Sequence, residues 1–247
     1  MIVRNVDQGW TVVFQTSHGL LAQRIASHLE VAKELPYWFE TQVAIGVHDD
    51  IHLVYEKGKR EQLTQAGAPR DFTLVPMQDE DRVVTMQDRI DEGFRKHSWL
   101  GVLQSLHAEC LYRGEDTANE MQPMLDMEEK RRESILTQLH IDAPMVRKTY
   151  DWMHFSDRLS LILCGDEVPA MNRRLEIITN DEGTRFEIWQ DESDRIRVSP
   201  WPFVEDKVDL SIEYRTVKQL SFVDDAELGE ALKACPVELR KFVISAN

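Results

Sequence analysis

The chain has 247 residues, 42% of them hydrophobic and 30% charged, with a formal net charge of −15. That suffices to bury one or two cores, is too polar for a membrane protein, and repels nucleic acid and anionic lipid unless basic residues cluster locally. No apolar run nears the roughly 20 residues that cross a bilayer.

The start, MIVRNVDQGW, lacks the apolar core of a secretory signal. Three widely spaced cysteines (Cys110, Cys164, Cys235) fit reduced, mostly buried thiols rather than a disulfide framework. A cytoplasmic protein is expected, with neither a nucleic-acid polymer nor a membrane as partner.

MIVRNV and WTVVFQT read as a hairpin turning at Asp7-Gln8-Gly9. From Ser17, a candidate N-cap, Leu21, Ile25, Leu29 and Ala32 follow the spacing of one helix face, and Pro36 stops it. A second helix is expected over Trp38–Asp50, and glycines and prolines make Lys57–Asp81 a loop. Val84–Tyr112 reads as a long helix with a break near Ser98 or Gly101. Thr117–His140 is a charged helix with a solvated face, and Ala143–Cys164 follows the signal Asp142-Ala143-Pro144.

Beyond Pro169 the period becomes two, around Leu175–Ile177, Phe186–Ile188 and Val208–Tyr214, with a turn at Asn180–Gly183 and a last helix at Asp225–Ala234. A lone hairpin is barely stable in water, so the N-terminal strands need the C-terminal ones as partners. The expectation is a single integrated α+β domain over 1–247. A helical part at about 17–165 joins a β-rich part at about 170–247 through strands 1–16.

Five titratable side chains sit where these patterns call for core residues: His18, His48, Asp49, His107 and Asp157. Taken singly, a histidine on a helix face is ordinarily a hydrogen-bonded packing residue, and Asp157 beside Arg158 an ordinary ion pair. A divalent cation explains the set, because imidazole and carboxylate are ligands for first-row metals and the ion compensates buried carboxylates. Neighbours on a helix point about 100° apart, so His48 and Asp49 reach one ion only at a helix end or a distorted turn. Iron, manganese and zinc all suit such donors and the sequence does not choose among them. No GxSxG, GxxxxGK[ST], GxGxxG or HExxH pattern offers another enzyme template.

The order His18, His48-Asp49, Asp157 resembles the H…HD…D signature of HD-domain metal-dependent phosphohydrolases. The chain also resembles an uncharacterised bacterial domain-of-unknown-function family, number 3891. The shared elements are MIVR, Gln15–His18 (Q-x-x-H), His48–Asp50 (HDD), Asp71-Phe72, Leu103–His107 (LxSLH), Ser156–Cys164 (SDRLSLxLC) and Pro200–Phe203 (PWPF). Two departures, Ile51-His52 where the family has Gly-Trp and Thr16-Ser17 where it has an acidic residue, point to a different pocket rim.

The HD resemblance implies an HD-like helical bundle, beside the mainly antiparallel sheet that the alternation builds from the N-terminal hairpin and the C-terminal strands. It implies a metal held by His18, His48, Asp49 and Asp157, and hydrolysis of a small phosphate ester or nucleotide. His107 is then a general acid or extra ligand, Asp50 a candidate base, and Gln15 a ligand-orienting or substrate-binding group; Arg24 and Arg158 are the nearest cations in sequence. The alternatives are a non-catalytic protein binding a small ligand or metal, and an oligomerising structural protein using the amphipathic strands and PWPF in a homo-oligomer contact.

Overall fold

The computed structural model describes residues 1–50, 53–74, 79–113 and 118–246. Ile51-His52, Thr117 and part of the expected 57–81 loop lie outside them. Strands β1 (Ile2–Val6) and β2 (Gly9–Val13) form the hairpin and lead into α1 (Gln15–Ser27) and α2 (Trp38–Val47). Then come α3 (Asp79–Lys96), α4 (Ser98–Tyr112), α5 (Ala118–Leu139) and α6 (Ala143–Gly165). The C-terminal part holds β3 (Leu175–Thr179), β4 (Arg185–Gln190), β5 (Ile196–Ser199), β6 (Lys207–Val217), α7 (Asp225–Ala234) and β7 (Glu238–Ser245). No helix among the described residues is long and apolar enough to cross a membrane.

Several boundaries differ from the sequence expectation for local reasons. Ser17 does not cap α1; the cap position is Phe14, whose carbonyl accepts the Ser17 amide. The helix ends at Ser27 rather than Ala32 because Leu29 is extended and bridges Phe203. The long segment divides at His97, whose extended backbone (φ −163°, ψ 138°) ends α3 and whose Nδ1 accepts the Trp99 amide at the start of α4. At α6 the Asp142 carboxylate accepts the Met145 amide at 3.0 Å, a side-chain cap that satisfies an orphan donor of the first turn.

The expected architecture, an HD-like helical bundle with a mainly antiparallel sheet, is corrected. The fold is mixed α/β: seven α-helices among the described residues, with a seven-stranded mixed sheet curled into a half-barrel. Strand order is β1-β2-β6-β7-β5-β4-β3. Neighbours are antiparallel except in the middle, where the final strand enters between β6 and β5 and runs parallel to β5, with Ile196 beside Ile244. Alternation alone does not reveal these two strands. β5 has four residues, and β7 places apolar side chains on both faces, Leu239 and Val243 outward but Phe242 and Ile244 inward.

Nor do the helices form a bundle of their own. One continuous core joins Ile2 and Val13 of the hairpin, Leu21 and Ile25 of α1, Leu103 of α4, Phe155 and Leu159 of α6, and Ile188, Val208 and Ile244 of the sheet. Phe203 of the PWPF segment is buried against Phe155 and Trp201, so it belongs to this core.

Helices α1 and α2 cross at a pair of glycines. A Cβ at Gly19 would stand 2.5 Å from the Gly46 carbonyl oxygen, so the two backbones touch where any side chain would separate them. That crossing lies one residue after His18 and two before His48. Alanine in mid-helix gains about 1 kcal/mol of propensity over glycine, but the clashing atom is backbone, and overpacking costs about 1–3 kcal/mol. Gly19→Ala is therefore expected to lower the thermal midpoint, by about 2–4 °C per net kcal/mol. An unchanged or raised midpoint in a melting experiment would contradict the contact.

Candidate metal centre

His18 projects inward from the first turns of α1, on the stripe of Leu21, Ala22 and Ile25, and is 0% exposed. His48 is the C-cap of α2, still in helical conformation (φ −60°, ψ −30°). The last carbonyls of a helix have no amide partner within it, and the His48 Nδ1–H takes that of Ile45 at 2.7 Å. This bond turns Nε2 away from the helix and, in the neutral ring, leaves the lone pair there. Asp49 follows where the helix has ended, which frees its side chain to turn to the same side. Asp157 comes from α6, on one face with Tyr150 and Met153.

These donors converge. His18 Nε2 lies 3.3 Å from His48 Nε2. Asp157 Oδ1 is 3.3 Å from the first and 3.2 Å from the second. Asp49 Oδ2 is 3.7 and 3.9 Å from the same two nitrogens. Ligand atoms at ~2.0–2.2 Å from a common ion stand about 3.0–3.6 Å from their neighbours; the separations among Asp157 and the two imidazoles fall inside that range and those of Asp49 lie just above it. His107 joins from α4: one donor atom each from His48, His107 and Asp157 lies within 4.8 Å of the others.

Two observations test whether a cation fits. Asp157 Oδ1 is fully buried and has no hydrogen-bond partner, although both Nε2 atoms are close. A buried carboxylate oxygen without a partner is costly, and a cation among the three atoms would remove that cost. The donors are also all imidazole nitrogens or carboxylate oxygens, a set suited to iron, manganese or zinc. The residues fit a divalent ion.

The electrostatics follow from burial working against paired charges. Burial opposes the charged form of His48, but the Asp157 and Asp49 carboxylates outweigh it and raise its pKa to about 9. Burial would also raise Asp157, yet His48 and His18 hold it well below the usual carboxylate range. Asp49 is lowered despite burial by His48, Arg89 and His18. His107 goes the other way: burial, then the charge on His48, lower it to about 4, so its ring is neutral at physiological pH.

Of the other expected site residues, Gln15 is the first residue of α1, one turn before His18, and is buried with its Oε1 unpartnered. Asp50 is not brought to the cluster. It is exposed and lines a separate cavity of about 250 Å³ with Thr16, Leu20 and Val47. Arg24 lines another, of about 580 Å³ between α1 and β6, with its guanidinium on Ser211 Oγ.

The cation that does reach the site is Arg89 of α3. Its Nη1 lies 3.1 Å from Asp49 Oδ1 and donates to the His48 carbonyl at 3.4 Å, which leaves Asp49 Oδ2 free to face the imidazoles. Sequence reasoning passed over Arg89, although a signal exists: Arg82, Met86, Arg89 and Ile90 share one stripe, so a basic residue interrupts an apolar face. It also passed over the aromatic surround. Phe72 stacks on His18 at 5.8 Å between ring centroids, and Tyr150 lies between His107 and His154. Cys110, expected buried, is exposed.

A family model described as Protein of unknown function (DUF3891) matches residues 1–219. No curated protein and no solved structure matches the chain.

Metal must displace the proton that His48 carries below about pH 9. Apparent affinity for zinc or manganese is therefore expected to fall as pH falls from 8 to 6, by about tenfold per pH unit for one proton released. Competition titrations against a chelating dye check this, and affinity that does not change over that range would contradict it.

Proposed function

We propose that this chain, which belongs to the DUF3891 family, is a metal-dependent phosphohydrolase acting on a small phosphate ester or nucleotide. The observation that carries the reading is that Asp49 and Asp157 each approach the Nε2 atoms of both His18 and His48 within 3.9 Å, with Asp157 Oδ1 unpartnered. Their order along the chain is the H…HD…D order, which supports the phosphohydrolase class although the surrounding fold is a mixed α/β one. These four residues would hold the ion, with His107 as a further donor. When bound, the ion would supply a water acidic enough to be deprotonated near neutral pH and a Lewis acid for a phosphoryl oxygen.

The protein's own groups set where a substrate can come from. The side chains of His18 and His48 are 0% and 1% exposed, those of Asp49 and Asp157 16% and 10%, so the open side lies along the carboxylates. Arg89 stands on that side through its contact with Asp49, and its guanidinium is the fixed positive charge that a phosphate needs in an acidic protein. Phe72 covers His18 and keeps water from that edge of the site. His107, neutral at working pH, suits a ligand better than a proton donor.

A second reading, metal binding without catalysis, is favoured by the same near-complete burial of both imidazoles. One experiment separates the two. Protein reconstituted with manganese, iron or zinc is expected to release inorganic phosphate from some member of a panel of phosphomonoesters and nucleotides. The double substitution His48→Ala, Asp49→Ala should remove metal and phosphate release while the helical circular dichroism persists. Loaded protein inert toward the whole panel would support the non-catalytic reading, and protein that takes up no metal would exclude both.

A further inference from the structure

We propose that Tyr150 is a positioning residue that makes His107 a metal donor: its hydroxyl accepts the His107 Nδ1–H and so leaves the His107 Nε2 lone pair for the cluster. The proposal rests on the metal reading above and adds a residue that the H…HD…D order does not contain.

A neutral imidazole has one N–H and one lone pair, and the bond made by one nitrogen decides what the other offers. His107 is 3% exposed, and its Nδ1 lies 3.1 Å from the Tyr150 hydroxyl.

A phenolic oxygen that accepts from Nδ1 leaves the Nε2 lone pair free. The reverse polarity would put a proton on Nε2, where His107 would offer an N–H to the cluster. Asp157 Oδ1, the buried acceptor there, takes no hydrogen bond. Tyr150 and Asp157 are seven residues apart on α6 and so share a face. One helix thus supplies both a carboxylate donor and the group that orients an imidazole from another helix, an arrangement common around metal-bound histidines.

The test uses the full chain and cobalt(II), whose visible spectrum reports coordination number. Wild-type protein is expected to bind cobalt, and Tyr150→Phe, which keeps the ring in the core, to bind it about 10- to 100-fold more weakly with an altered d–d spectrum. Tyr150→Phe with wild-type affinity and spectrum would overturn the proposal and leave the metal reading standing. Wild-type protein that takes no cobalt would overturn the metal reading itself.

Long-range ¹H–¹⁵N spectra of metal-free wild-type protein decide the matter if Tyr150→Phe does not fold. His107 is expected as the Nδ1–H tautomer, and an Nε2–H ring would overturn the proposal.

Discussion

Charge balance in a dry pocket is the constraint on which the rest depends. Each of two carboxylates lies 3.2–3.9 Å from the Nε2 atoms of both imidazoles, nearly all out of water. Two negative charges around the same pair of nitrogens in a low-dielectric setting repel one another, so the group is stable only when positive charge is threaded among the oxygens. In the metal-free protein the proton on His48 supplies part of it and the Arg89 guanidinium another part. Asp157 Oδ1 lies 3.2 Å from the His48 Nε2 but in no well-directed hydrogen bond. A divalent ion would replace the proton, satisfy that oxygen and draw the Nε2 lone pairs inward in a single step.

The fold serves this arrangement by bringing together pieces distant in sequence. The bare-backbone crossing of Gly19 and Gly46 sets α1 and α2 close enough for His18 and His48 to meet. The end of α2 lets consecutive residues face one point. Helix α6 is buried between the other helices and the sheet, so Asp157 and Tyr150 sit on a rigid support. Asp71-Phe72 is tied to the N-terminal strand, since Asp71 Oδ2 accepts the Val3 amide at 2.7 Å and the Phe72 amide donates to the Met1 carbonyl. Phe72 is thereby fixed against His18, and the sheet hairpin contributes indirectly to the site.

What was legible in the sequence is what local periodicity encodes. His18, His107 and Asp157 stand out because each interrupts an apolar helical stripe, and His48-Asp49 because adjacency on a helix demands a helix end, which is where α2 stops. The hairpin and the last helix follow from turn chemistry and spacing. Groups that act through a partner are harder to read. Arg89 is one basic residue in a charged helix until its contact with Asp49 is known, and Asp50 reads as a site residue only because it extends the HDD run. The mixed sheet was hidden for a non-local reason. Strand β7 carries apolar residues on both faces, and its place beside β5 is set by a pairing between ends of the C-terminal region that no alternation pattern reports.

The most direct measurement is diffraction from crystals grown with manganese or zinc, with anomalous data collected across the metal's absorption edge. A single strong anomalous peak is expected among His18 Nε2, His48 Nε2, Asp49 Oδ2 and Asp157 Oδ1, at ~2.0–2.2 Å from its ligands. A map with no peak there, in which Asp157 instead accepts a hydrogen bond from a protonated His48 and the imidazoles turn to separate partners, would contradict the account.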